Sequence, residues 1–190
     1  MNNIFAIRKN FTDYQVLDLE LTDITRHLPD SVDLDCVLDF SELNTRLAPF
    51  WNTPETRYIN SVSQKKGITP DISCWIDATL VLSPKAYRLL KDSFEGLGEL
   101  LPVEVAGEVH YIFNCFTWAD VNEEACLFNE EEGMQAGLKH IEFASSVDDL
   151  LVFKAQIEYG LTLFCTGRFK EIVESFELTG IIFDENLIIA

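Results

Sequence analysis

Chemistry in this chain would have to come from its cysteines, its histidines or its many carboxylates. Five cysteines (Cys36, Cys74, Cys115, Cys126, Cys165) are scattered, with no CxxC pair, so neither a zinc ribbon nor a disulfide framework is indicated. Cys115 and Cys165 lie in apolar runs, where a thiol acts as a small hydrophobe. His27, His110 and His140 lack a neighbour at metal-ligand spacing, and HExxH is absent. His110 falls opposite apolar positions and reads as structural. Cys165-Thr-Gly-Arg168 has the residue types of a phosphatase loop but too few residues between Cys and Arg to cradle a phosphate. Gly96-Leu-Gly98 follows a helix instead of opening one, which is the wrong context for a dinucleotide loop. The acids of residues 22–40 lack the twelve-residue pattern of a calcium loop. Carboxylate pairs abound, but 32 Asp and Glu make chance proximity inevitable.

The charge balance is more informative. Lys and Arg number 14, so the net charge is −18, and residues 101–150 set eleven acids against Lys139 alone. Such a surface repels nucleic acid and anionic membranes and speeds encounter with basic proteins. Basic patches interleaved with aromatics are missing, so direct nucleic-acid binding is disfavoured. No apolar run reaches the length of a membrane helix. Near the N-terminus the basic residues follow the short apolar run, which is the wrong order for a signal peptide, so a cytoplasmic location is expected.

The elements that must position these residues centre on Leu80–Lys91 and Gly98–Val105. Leu80-Val-Leu82 reads as a strand, Ser83 as an N-cap and Pro84 as the first helical residue. Ala86, Leu89, Leu90, Ser93 and Phe94 then recur on one helical face. After Gly96 and Gly98 a strand leads through Ala106-Gly107 into a second strand, Val109 to Phe116. A similar order, apolar run, Thr166 cap, helix, Gly180 and strand, recurs near the C-terminus. Earlier in the chain, Asn3–Ile7 and Tyr14–Leu21 read as strands, Asp33–Cys36 as a half-exposed strand, and Ser41 as the cap of a short helix. Residues 118–137 read as an acidic surface loop, followed by strands at 138–143 and 150–155. The fold class expected is α+β, with mixed, largely antiparallel sheets, a few packed helices and a strand-helix-hairpin centre. Residues 1–52 are expected to form a β-rich N-terminal subdomain, 53–71 a polar linker and 72–190 the main α+β domain.

Several of these residues, in their order, resemble a bacterial family. They are Pro70-Asp71-Ile72 with Trp75, Leu82-Ser83, Leu97-Gly-Glu-Leu-Leu-Pro-Val103 and Tyr111-Ile-Phe-Asn114 before Ala119-Asp120-Val121. Leu151-Val-Phe153, Phe164 and Leu178-Thr-Gly-Ile-Ile-Phe183 complete the set. The family is the Myxococcus-type immunity-protein domain of polymorphic-toxin, contact-dependent and type VI secretion systems. The resemblance covers roughly residues 70–183. It implies a protein that binds and neutralises a cognate toxin, with no catalysis and no cofactor. The matched positions are core and turn residues, so it carries over no binding residues.

From the residues themselves, the acidic stretch is the first candidate for a partner surface: Asp120, Glu123, Glu124, Glu130, Glu131 and Glu132, with Trp118 as an aromatic anchor. The partner expected is a basic toxin, such as a nuclease. Two other readings remain open at this point: an adaptor or chaperone that loads an effector for secretion, and an enzyme using a carboxylate pair on a small molecule.

Overall fold

The computed structural model describes residues 3–26, 28–29, 31–61, 66–131 and 134–188. In chain order it begins with β1 (Ile4–Lys9), β2 (Val16–Leu17), α1 (Leu21–Thr25) and α2 (Leu34–Leu38). Next come β3 (Glu55–Thr56), β4 (Tyr58–Ile59), β5 (Ile72–Cys74), β6 (Thr79–Leu82) and α3 (Pro84–Leu90). The long hairpin follows as β7 (Gly98–Val105) and β8 (Glu108–Cys115), then β9 (Trp118–Ala119), β10 (Leu127–Glu131) and β11 (Met134–His140). The chain ends with β12 (Val152–Ala155), β13 (Phe164–Thr166), α4 (Gly167–Ser175) and β14 (Ile181–Asp184).

Two five-stranded sheets carry the fold, in the orders β14-β1-β13-β12-β9 and β3-β7-β8-β6-β5. Their strands run antiparallel to their neighbours except where β12 meets β9 and β3 meets β7. Neither sheet closes, and the fold is α+β, as the alternation of strand and helix patterns predicts.

Period-two alternation divides the interior into three cores. Leu80 and Leu82 enter a core between the sheets, which also holds Phe5, Ile7, Val152 and Cys165. The intervening Val81 points the other way, into a core with Leu101, Val103, Val105 and Ile112, covered by Val37, Phe40 and Leu47. Ala6, Phe153 and Phe164 leave the far face of the first sheet for a third core with Ile141, Phe143 and Val147. Each sheet is therefore buried on both faces. α3 and α4 close the central core through Ala86, Leu90, Phe169 and Val173. Burying Leu90, Phe169 and Val173 stabilises the fold by about 1.5–3 kcal/mol each.

Local chemistry explains the central segment. The Ser83 hydroxyl accepts from the Ala86 N–H at 3.1 Å, and Pro84 opens α3 where an N–H would be unpaired anyway. The helix tightens into a 3-10 turn at Lys91–Phe94. Ala106 and Gly107, at φ of +52° and +87°, make the two-residue turn between β7 and β8.

Elsewhere the structure departs from the sequence reading. Asp33–Cys36 is no strand: Asp33 caps α2 by accepting from the Asp35 N–H at 3.1 Å. Of the 14–21 stretch only Val16–Leu17 forms a strand, paired with β4, while Tyr14 makes an isolated parallel bridge to Ile68. Ser41 caps nothing and is buried, its hydroxyl donating to the Gly160 carbonyl at 2.7 Å. Thr166 begins α4 without a capping bond, and its hydroxyl donates to the Leu150 carbonyl instead. The polar 53–71 segment contributes β3, which joins β7, and β4, while the Asp71 and Ile72 N–H groups donate to Thr179. Residues 118–137 hold strands in place of a loop: β10 and β11 pair as a two-stranded sheet.

Candidate protein-binding surface

The acidic stretch is held in place by the third core. β9 pairs in parallel with β12, setting Trp118 beside Lys154 and Ala119 beside Ala155. Val121 then bridges Phe143, whose ring packs edge-on against Phe153 and Phe164 at 5.2 and 5.1 Å. The Asn122 N–H donates to the Glu142 carbonyl, and Cys126 returns its N–H to Asn122, closing a turn through Glu123 and Glu124. The Cys126 thiol is buried and accepts from the Glu142 N–H at 3.4 Å.

Asp120 and Glu123 line one cavity of about 560 Å³ with Val121, Phe128, Gln156 and Ile157. Glu124 is exposed on the same turn. Glu130 and Glu131 lie further along, on β10, opposite Gln135 and Met134. Glu132 lies outside the described residues, as do Asp30 and His27. Asp120, Glu123, Glu124 and Glu130 are exposed, and none has an ion-pair partner among the described residues. Four carboxylates on a short stretch without a neutralising cation form a negative patch that attracts positive charge over about a Debye length, ~8–10 Å. Leu127, 53% exposed, adds apolar area to it.

Trp118 is half-buried, and its ring lies against the Lys154 ammonium, 4.4 Å from ring centroid to nitrogen. Lys154 itself is wholly buried and donates to the Ser41 carbonyl. A side chain at Gly160, where φ is +68°, would meet the Trp118 ring at 2.9 Å. Lys154, Trp118, Ser41 and Gly160 thus lock the acidic side of the molecule to the segment that follows α2. Burial lowers the Lys154 ammonium to about 8, with the Cys115 thiol and Asp77 acting in the opposite direction. The sequence hint was a lysine inside the otherwise apolar Leu151–Ala155.

Glu158, on the short 3-10 turn after β12, accepts from the Thr162 N–H at 2.9 Å, yet burial pushes its carboxyl up to about 7. A folded-state value above the unfolded one means that its stabilising contribution is full below the unfolded value and is lost as pH rises through about 7. Glu158→Gln keeps an acceptor for Thr162 and removes that loss. It is expected to be more stable than the parent above pH 7, by roughly 1–2 kcal/mol after solvent screening, with the gap closing by pH 4.5. Thermal unfolding of both proteins across that range tests it; a gap independent of pH would contradict it.

His110 is 4% exposed, its ring edge-on to Tyr58 at 5.9 Å, and burial lowers its proton affinity. Among the described residues no group of three or more His, Cys, Asp or Glu is placed to hold a metal ion. No helix among them is long and apolar enough to cross a membrane. The chain matches no family model, and no curated protein matches it.

Proposed function

We propose that this chain is an immunity protein, of the Myxococcus-type domain that its motifs resemble, which neutralises a basic toxin by direct contact. The supporting observation is the set of exposed carboxylates without ion-pair partners among the described residues, Asp120, Glu123, Glu124 and Glu130, the first two lining one cavity, in a chain of net charge −18. A protein that must intercept a toxin gains most from rapid association, and complementary charge raises the on-rate well above the neutral range. A basic active-site groove evolved for phosphate would meet such a surface with opposite sign. The cytoplasm of the producing cell is the place where that protection would be needed.

Charge reversal separates this role from plain surface solvation. Glu123→Lys with Glu124→Lys is expected to slow association with a basic toxic domain that the protein neutralises about tenfold or more at low salt. The deficit should shrink as ionic strength rises. Both positions are exposed, so the variant should fold. Stopped-flow association at two salt concentrations measures this, and an unchanged low-salt rate would remove this surface from the interface.

A further inference from the structure

A cavity of about 660 Å³ opens on another part of the molecule, between β1, the turn joining β5 to β6, and residues 161–163. Ile7, Ile76, Leu163 and Ile188 give it apolar walls, and its lining residues Phe11 and Leu161 leave about half their surface in solvent, at 50% and 55% exposure. Large side chains at that exposure beside an apolar cavity mark a contact surface more than scattered ones do.

Asp77 lines the same cavity and is presented to it by a fixed turn. The Thr79 hydroxyl accepts from the Ile76 N–H at 3.1 Å and donates to the Ile76 carbonyl at 2.6 Å. The Thr79 N–H in turn donates to the Asp77 carbonyl. Asp77 is thereby held at φ +48°, a left-handed conformation that few residues other than glycine, asparagine and aspartate accept readily. Its carboxylate is half-buried and, among the described residues, makes no hydrogen bond or ion pair. Burial raises its proton affinity, with Lys154 and Lys9 pulling the other way.

The cations that line the cavity leave that carboxylate unmatched. Arg8 is committed to the Thr162 hydroxyl, the Leu187 carbonyl and Asp184, at 3.4, 3.1 and 3.9 Å. Lys9 is exposed, with its ammonium 6.0 Å from the Phe11 ring. A partly desolvated acid with no hydrogen bond or ion pair among the described residues, reached by Lys154 and Lys9 only at longer range, raises the free energy of the unbound protein, and an arriving cation in direct contact would offset that cost.

We infer that this cavity is an anchor site for a partner side-chain pair, an apolar group seated against Ile7, Ile76 and Leu163 beside a cationic group that meets Asp77. The inference rests on the reading of the chain as a binder of a basic protein, which supplies such cations in abundance. An apolar anchor in a pocket contributes affinity, and the adjoining charge fixes orientation.

The test needs no partner protein, so its failure is distinguishable from failure of the toxin-binding role. Phenethylamine carries an apolar ring and a cation; 2-phenylethanol has the same ring without charge. Titrated into the full chain and followed by amide shifts in NMR spectra, phenethylamine is expected to move Ile76, Asp77 and Thr162 saturably. It should bind about tenfold tighter than the alcohol at low salt. Asp77→Asn, which tolerates the same backbone conformation, should erase that margin and leave the alcohol unaffected. Lys9→Met should widen it by removing a like charge. No saturable shift at these residues, or a margin that survives Asp77→Asn, would overturn the proposal.

Discussion

Glu99→Ala is expected to destabilise the protein by about 3 kcal/mol or more, among the largest effects of any single polar substitution here. Glu99 is 8% exposed and lies on the inward register of β7, in line with Leu101, Val103 and Val105. One carboxylate oxygen accepts from the Leu47 N–H at 2.6 Å and the Asn114 amide at 3.0 Å, and the other from the Ala48 N–H at 3.2 Å. Charge-assisted bonds to buried donors are the strong kind, and deleting the acceptor strands the buried Leu47 N–H while also taking a partner from the Ala48 N–H and from the Asn114 amide, which keeps its bond to the Thr45 carbonyl. The loss would loosen residues 40–51, which carry Phe40 and Leu47 onto the core of Leu101, Val103 and Ile112. Glu99→Gln should fall between the two, because its amide turns a donor toward other donors. Urea unfolding measures both, and a loss below about 1 kcal/mol for the alanine variant would contradict this account.

Gly180→Ala is the second. A Cβ there would lie 2.1 Å from the Ile72 carbonyl oxygen and 2.4 Å from the Pro70 Cβ, at φ +123°. Neither neighbour is the end of a flexible chain, so the backbone itself must move. That backbone is a clasp. Thr179 O accepts from the Asp71 and Ile72 N–H groups at 2.9 Å, and the Asp71 carboxylate accepts from the Thr179 N–H and hydroxyl and from Lys85. Breaking it separates β14 from the edge of β5, so a loss above about 3 kcal/mol is expected. Gly107→Ala supplies the comparison, since Gly107 has φ +87° but open space around it. Strain alone should cost roughly 1 kcal/mol there. Equal costs for the two variants would refute the clasp.

The parts of the fold legible in sequence are those specified by near neighbours. Ser83, Pro84 and the helical face of Ala86 and Leu90 announce α3 because capping and periodicity act within one or two turns. Ala106-Gly107 between two alternating runs announces the hairpin for the same reason. α2 is only five residues long, and Asp33-Leu-Asp-Cys36 mimics a period of two over that span, so its helical character emerges only from the burial of Val37 and Phe40. β10 and β11 shift register at Leu127, Phe128 and Asn129, which breaks the alternation that would mark them as strands. β3 pairs through main-chain groups that every residue possesses, so a polar sequence gives no sign of it.

The candidate surface divides in the same way. Its charge was legible as composition, since no Lys or Arg interrupts residues 118–137. That Asp120 and Glu123 share a cavity with Gln156 and Ile157 depends on the parallel pairing of β9 with β12, across more than thirty residues of sequence. The Trp118 ring against Lys154 follows from that same pairing. Asp77 gave no sequence signal beyond its place in a short turn. Its interest arises from φ, burial and the absence of a partner among the described residues, all of which are properties of the fold.

The proposed function is tested most directly by coexpression with whatever candidate toxic domain is encoded beside the gene, reading growth and then purifying the pair. Growth is expected to be restored and a stable stoichiometric complex recovered, dissociating more readily as salt is raised. Restored growth with no complex at any salt concentration would contradict it, because the protection would then have to come from chemistry on the damage instead of contact with the toxin. Failure to restore growth in the presence of a tight complex would contradict it as well, and would leave the chain as a carrier of its partner.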